Sequence, residues 1–226
     1  MSLNSVSPVA EAPRAATRAQ LLEAAAAVFA EQGFRAATVR EICRRAGANV
    51  AAINYHFGDK ERLYAETLGW AVRSGWEQYP VTLGLGEHPG PEERLRAFVR
   101  SFLLRIFDRG TVAIRGRLIL REMVEPTAAL DVIVESQLGP MAQYLASVVR
   151  AILGPRASEG EIRLHGMSIV GQVLFYHHSR PFIRRLFPDM KFGPDEIERL
   201  TDHVTRFSLA ALLSAAKAKP ADRRRR

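Results

Sequence analysis

Residues 38–63, TVREICRRAGANVAAINYHFGDKERL, decide the fold of the N-terminal part of this chain. The segment predicts two short helices separated by a glycine turn and followed at once by the start of a third helix. Thr38 is a good N-cap with Glu41 three residues later, which is the capping-box pattern. Behind this cap, apolar residues recur at helical spacing and form one stripe: Val39, Ile42, Cys43 and Ala46.

The turn and the second helix also follow from local chemistry. Gly47 ends the first helix where a left-handed backbone is needed, and Asn49 can cap the next helix. Ile53 and Phe57 lie four residues apart and point to the same inner side, and Asp59 caps a longer helix that follows. Two helices joined by a short turn that contains glycine predict a helix-turn-helix, whose second helix can enter the major groove of DNA.

The spacing resembles the N-terminal DNA-binding domain of the TetR/AcrR family of transcriptional regulators. The residues that carry the resemblance are Gly33, Phe34, Thr38, Ile42, Ala46, Gly47, Ile53, His56, Phe57, Lys60, Glu61 and Leu63. Residues 121–135 (REMVEPTAALDVIVE) and 171–178 (GQVLFYHH) resemble the C-terminal domain of CecR-like members, a similarity that covers residues 92–212. The alternative is a three-helix packing unit without a role in DNA binding.

The pattern of the whole chain predicts an all-α protein. We expect a disordered arm at 1–13, a three-helix helix-turn-helix domain at 14–62, a helical ligand-binding and dimerisation domain at 63–216, and a basic disordered tail at 217–226. Residues 80–91 form a linker rich in Gly and Pro. Helices are predicted near 14–32, 60–79, 91–108, 111–124, 127–153, 158–178, 180–187 and 195–216, with a bend at Gly139-Pro140 because proline cannot continue the hydrogen-bond ladder.

The charge of the chain is concentrated at two places. The net charge is +8, of which residues 14–62 carry +3 and residues 217–226 carry +5, whereas residues 63–216 are nearly neutral. This distribution suits a polyanion-binding head on a neutral body. The Arg223–Arg226 run is interpreted as a solvated tail.

Composition favours a cytoplasmic protein. Hydrophobic residues make up 47% of the 226 residues, but no apolar run approaches the roughly 18 residues that span a bilayer. The single cysteine, Cys43, lies on the inner stripe of its helix and is predicted to be a buried structural thiol.

The resemblance places the DNA-binding residues on and beside the second helix of the motif. Asn54 can bond adenine, Val50 and Ala52 can meet a thymine methyl group, and Arg40 is the best candidate for a guanine contact. Lys60 is expected to bind phosphate at a helix N-terminus. The full predicted set is Thr38, Arg40, Asn49, Val50, Ala52, Asn54, Tyr55, His56 and Lys60.

Two C-terminal helices predict a symmetric dimer interface. Helix 158–178 is apolar nearly all round and must therefore be covered on all sides, and helix 195–216 carries an apolar seam. The predicted interface residues are Met167, Val170, Gly171, Leu174, Leu200, Val204, Phe207 and Ala211. Burial of both helices within one large monomer is the alternative.

Polar residues in apolar helices predict a pocket for an unknown small-molecule effector. The candidate ligand-binding residues are Arg117, Arg121, Glu122, Tyr144, Tyr176 and His177. Arg121 and Glu122 are alternatively a structural ion pair. His165, His177 and His178 lack the spacing of a zinc site, so neither a metal, a cofactor nor a catalytic role is predicted.

These observations predict a one-component transcriptional regulator: a ligand-responsive repressor that binds a palindromic operator in double-stranded DNA as a homodimer. The alternative is an all-α ligand-binding or scaffold protein without operator binding. The sequence does not indicate the effector, the operator or the target genes.

Overall fold

The computed structural model describes residues 11–108 and 111–217. Within these ranges the regular structure is helical, as predicted. In chain order the helices are α1 (Glu11–Ala36), α2 (Val39–Ala46), α3 (Val50–His56), α4 (Lys60–Gln78), α5 (Pro91–Phe107), α6 (Thr111–Val124), α7 (Ala129–Ile133), a π-helical segment (Val134–Leu138), α8 (Gly139–Leu153), α9 (Glu159–His178), α10 (Arg180–Leu186) and α11 (Pro194–Lys217).

The described residues form two compact units. Residues 11–74 and 111–137 make up the first unit, and residues 75–108 and 138–217 make up the second. The predicted division at residue 62 follows chain order, whereas the first compact unit also takes in α6 and α7. Compactness does not show which segment folds alone, so the division at 62 stays a prediction. Most of the predicted arm and tail, residues 1–10 and 218–226, lies outside the described residues.

Helix α1 and its partners build the core of the first unit. The buried side of α1 packs against α2 and α6. The fully buried side chains of this unit include Leu21, Phe29, Ile42, Ile53, Leu63 and Leu118. The predicted end of α1 at Gly33 is a kink instead: Gly33 has a φ of 78°, and the helix resumes through Ala36. A side chain is strained in this backbone conformation, so glycine is favoured here; the nearest atoms to an added Cβ belong to the flexible guanidinium of Arg121, which can move.

The core of the second unit lies between α5, α8, α9 and α11. It contains Leu95, Phe98, Val99, Leu103, Val148, Ile169, Val173, Leu200 and Val204. Ser158 caps α9 with a full capping box, in which the Glu161 carboxylate accepts from the Ser158 backbone N–H at 2.8 Å. Among the described residues, no helix is both long and apolar enough to cross a membrane.

A π-helical segment, Val134–Leu138, lies directly before Gly139-Pro140, where the sequence predicted a bend. Pro140 has no N–H to donate to the carbonyl group four residues earlier, that of Ser136. The helix is a wider π-helix over Val134–Leu138 and continues as the α-helix α8 from Gly139. The wider hydrogen-bond pattern of a π-helix thus directly precedes the proline.

Candidate nucleic-acid interface

The helix-turn-helix is built from local caps. Thr38 Oγ1 accepts from the Glu41 N–H at 3.2 Å, and Gly47 adopts the left-handed conformation (φ 63°) that ends α2. Asn49 Oδ1 accepts from the Ala52 N–H at 2.9 Å and starts α3. The predicted capping box is only half present, because the Glu41 side chain turns toward two arginines instead of the Thr38 backbone.

Ion pairs hold α2 against α1. The Glu41 carboxylate accepts from Arg44 and Arg45, both at 2.8 Å, and Arg45 also bonds Glu31 on α1. Hydrogen bonds from Arg44 and then Arg45 lower the pKa of Glu41 from 4.5 to about 2. Arg40, by contrast, is exposed and forms no ion pair with the part of the chain that the structure describes. Its charge is therefore available to DNA.

The low pKa of Glu41 predicts an acid-dependent contribution to stability. A carboxylate whose folded pKa is depressed stabilises the fold above its ordinary pKa of 4.5 and loses that effect as the pH falls toward about 2. The difference in unfolding free energy between wild type and Glu41→Gln should thus be full at pH 6 and shrink between these two values. Urea unfolding from pH 7 to 2.5 measures it. A difference that does not change with pH would contradict the assignment.

Helix α3 presents an exposed face opposite its two buried anchors. Ile53 and Phe57 are buried, whereas Asn54 and Tyr55 are exposed, Tyr55 by 68%. Val50 is 42% exposed. These positions suit a helix that lies in a groove with its inner side held by the core.

Two positions on α3 differ from the sequence-based expectation. Ala52 is half-buried, so its methyl group is less available to a thymine than predicted. Ala51 is exposed and was absent from the predicted set. At 100° per residue, positions 51 and 55 lie most nearly opposite Ile53, so the helical angle alone could have identified Ala51.

The remaining predicted DNA contacts surround α3. Lys60 is half-buried, its Nζ donates to the Arg35 carbonyl at 3.3 Å, and it lies 4.7 Å from the centre of the Phe34 ring. An ammonium has three donors, so this position leaves protons for a phosphate. His56 is half-buried, with its ring centre 5.1 Å from that of Tyr55. The side-chain oxygens of Thr38 and Asn49 already accept the backbone hydrogen bonds that cap α2 and α3.

The thiol of Cys43 is buried, as predicted, and burial raises its pKa. No group of three or more His, Cys, Asp or Glu residues that could hold a metal ion occurs in the described ranges.

The six predicted effector residues fall into two groups. Arg117, Arg121 and Glu122 belong to the first unit, and Tyr144, Tyr176 and His177 belong to the second. Within the second unit, Tyr144 stacks on Phe98 and His177 contacts Phe107. Those two phenylalanines are nine residues apart on α5, about 13.5 Å at 1.5 Å per residue. The effector site stays a prediction.

Glu122 has a structural role. It is 2% exposed and accepts hydrogen bonds from Tyr64 Oη at 2.6 Å and from the Thr127 backbone N–H at 2.7 Å. Burial and the bond to Glu122 raise the pKa of Tyr64, so Tyr64 stays a donor. Arg121 pairs with Glu125 at 3.3 Å, not with Glu122, and Arg117 is exposed. The alternative reading of Arg121 and Glu122 as an ion pair is therefore wrong.

Two predicted interface residues are also reassigned. Leu200 and Val204 lie in the core of the second unit, because the seam of α11 packs on α5 and α8 of the same chain. Met167, Gly171, Phe207 and Ala211 are exposed, and Val170 and Leu174 are half-buried.

Fold and surface together define the class: a helix-turn-helix DNA-binding unit joined to a helical body. A family model described as bacterial regulatory proteins, tetR family, matches residues 21–67. A second, described as the C-terminal domain of the HTH-type transcriptional dual regulator CecR, matches residues 91–212. The chain belongs to the TetR family of transcriptional regulators and carries a CecR-type C-terminal domain.

Individual relatives agree with this assignment. The HTH-type transcriptional dual regulator CecR of Shigella flexneri is 30% identical over 197 residues, which cover 82% of this chain and 86% of that protein. The HTH-type transcriptional repressor KstR2 of Mycobacterium tuberculosis is 49% identical over 51 residues, 23% of this chain and 26% of the repressor.

Solved structures show the same fold. A transcriptional regulator from Rhodococcus sp. Rha1 superposes with a TM-score of 0.63 at 20% identity, covering 90% of this chain and 99% of the other. AibR, in complex with isovaleryl coenzyme A and operator DNA, has a TM-score of 0.62 at 21% identity, covering 84% and 97%. The protein is thus a DNA-binding transcriptional regulator, and the scaffold alternative is set aside.

Proposed function

We propose that the protein is a ligand-responsive repressor that binds a palindromic operator as a homodimer. The observation that carries this proposal is the exposed face of α3 together with Arg40, which pairs with no acid among the described residues. The other two arginines of α2 are neutralised by acids. Two such faces in successive major grooves would need half-sites roughly 34–36 Å apart. Action on an operator would place the protein with the chromosome in the cytoplasm.

The dimer proposal is supported by apolar side chains that the protomer leaves uncovered. On α9, Leu164, Met167 and Phe175 are 63%, 62% and 59% exposed, at spacings that keep them on one side of the helix with Gly171. On α11, Phe207 is 60% exposed. Helices α9 and α11 pack together, and Gln172 Nε2 donates to Ser208 Oγ at 3.3 Å. Such a surface suits a second copy of the chain.

Response to an effector is supported by one solved relative of the same fold. AibR was captured with both isovaleryl coenzyme A and operator DNA. By analogy we place an effector in the helical body of this protein, where its binding would lower operator affinity. Coupling of this kind is reciprocal and typically amounts to about 1–3 kcal/mol.

Substitutions at Arg40 and Lys60 test the DNA surface with different signatures. Arg40→Ala should relax discrimination at one base pair, at a cost of roughly 1–3 kcal/mol on the preferred site. Lys60→Ala should weaken binding to all sequences alike and reduce the salt slope by about one, because it removes a phosphate contact. Fluorescence anisotropy on operators selected from random DNA, at several salt concentrations, measures both effects.

Arg73→Ala is the matched control, since it removes an exposed positive charge from α4 outside the proposed surface. It should leave both specificity and salt slope unchanged. If Arg40→Ala and Lys60→Ala bind as wild type while remaining folded dimers, the recognition surface lies elsewhere.

A further inference from the structure

Arg105 is a buried guanidinium in the second unit. The residue is 9% exposed, and no carboxylate lies within ion-pair distance of it in the ranges that the structure describes. Burial lowers its pKa to about 10, and no neighbouring acid opposes that shift. A buried charge without a counterion is strongly unfavourable. The fold therefore keeps a positive charge in the interior that no carboxylate of the described residues balances.

Its immediate surroundings are two aromatic rings and two modest acceptors. The guanidinium carbon lies 5.4 Å from the ring centre of Trp76 and 5.5 Å from that of Phe102. Nε donates to the Ser101 carbonyl of its own helix at 3.2 Å, and Nη2 lies 3.9 Å from Sδ of Met141. A thioether is a weak acceptor, so Nη2 has capacity for a stronger one.

Two other arginines on the same helix are neutralised by acids. Arg96 pairs with Asp202 at 2.8 Å, and Arg100 pairs with Glu198 at 2.6 Å, both on α11. Both arginines are more exposed than Arg105 and need a partner less. Arg96 and Arg100 thus have carboxylate partners on α11, whereas the more deeply buried Arg105 has none among the described residues.

The acid nearest in sequence is also directed elsewhere. Asp108 lies one helical turn after Arg105, but its Oδ2 accepts from Tyr79 Oη at 2.8 Å. It acts as an acceptor at the end of α5 and gives no ion pair to Arg105.

We propose that Arg105 binds the carboxylate of a monoanionic effector with an apolar, aromatic body. One guanidinium balances one negative charge, and it can donate two parallel hydrogen bonds to the oxygens of a carboxylate. Trp76 and Phe102 would flank the body of the ligand, and the flexible Met141 would adjust to it. The inference rests on the proposed function only in taking this ligand to be the effector.

Trp76 makes the site measurable. The chain has two tryptophans, so Trp70→Phe leaves Trp76 as the single fluorescent reporter beside Arg105. The probes are 3-phenylpropionate and its neutral amide, which have the same shape and differ in charge. In the Trp70→Phe protein we expect the acid to change Trp76 emission and to bind at least about tenfold more tightly than the amide.

Adding Arg105→Met should remove this preference, so that acid and amide bind equally weakly. Without ligand its melting temperature should equal or exceed that of the parent, because an uncompensated buried charge has been replaced by an apolar side chain. Arg100→Met, an ion-paired arginine on the same helix, is the matched control and should keep the full preference for the acid.

Several outcomes would overturn the proposal. Equal affinity for acid and amide in the parent, or no binding of the acid at millimolar concentration, shows that Arg105 does not bind a monocarboxylate. Tighter binding of 2-phenylethyl phosphate than of the acid would assign the site to phosphate esters instead. These titrations contain no DNA, so a failure of operator binding, measured separately on the wild type, would count against the proposed function alone.

Discussion

Replacing Gly171 with Arg should convert the protein from a dimer into monomers that bind operator far more weakly. A Cβ at Gly171 would meet nothing within 4 Å in the protomer, so the new side chain is tolerated there and is damaging only where a second copy covers α9. An uncompensated charge in an interface costs roughly 3–5 kcal/mol. The association constant should therefore fall by a factor on the order of a hundred or more.

Sedimentation at micromolar concentration and operator titration measure these effects. Phe207→Arg on α11 should behave in the same way, because this side chain is exposed in the protomer. Val132→Arg is the control: it adds the same charge at a 56% exposed position on α7, outside the proposed interface. A wild-type chain that sediments as a monomer would refute the dimer, and a dimeric Gly171→Arg would move the interface elsewhere.

Removing the Glu122 carboxylate should destabilise the first unit. Glu122→Ala leaves the buried Tyr64 Oη and the partly buried Thr127 N–H without their acceptor. Stranded donors of this kind cost about 1–3 kcal/mol each, so we expect a loss of about 3 kcal/mol and a melting temperature lower by roughly 6–12 °C.

The neighbouring Glu125 provides the comparison. Its side chain is 65% exposed and forms a surface ion pair with Arg121, which contributes at most about 1 kcal/mol. Glu125→Ala should therefore have little effect, and Glu122→Gln should fall between the two alanine variants. Equal melting temperatures for Glu122→Ala and Glu125→Ala would show that the buried hydrogen bonds are not limiting.

The sequence by itself determined the helix-turn-helix and the order of the helices. Caps and turn residues act within a few positions of one another, so Thr38, Gly47 and Asn49 specify their helix ends locally. The apolar period of 3.6 residues identified the buried anchors Ile53 and Phe57 for the same reason. Residues that act through neighbours in sequence could therefore be predicted.

Some features that the tertiary structure established had a partial signal in the sequence. Arg105 follows Phe98 and Phe102 at helical spacing on the apolar stripe of α5, but only packing shows that no described carboxylate reaches it. Likewise, a rotation of 100° per residue predicts that Ala51 is exposed once Ile53 is known to be buried.

Partners distant in sequence had no local signal. Glu122 and Tyr64 are 58 residues apart, and the spacing of polar residues gave no reason to pair them. The apolar seam of α11 predicted that Leu200 and Val204 are covered but not by what, and the structure covers them with α5 and α8 of the same chain. Periodicity specifies which side of a helix is buried, whereas the identity of the covering surface depends on how all the helices pack together.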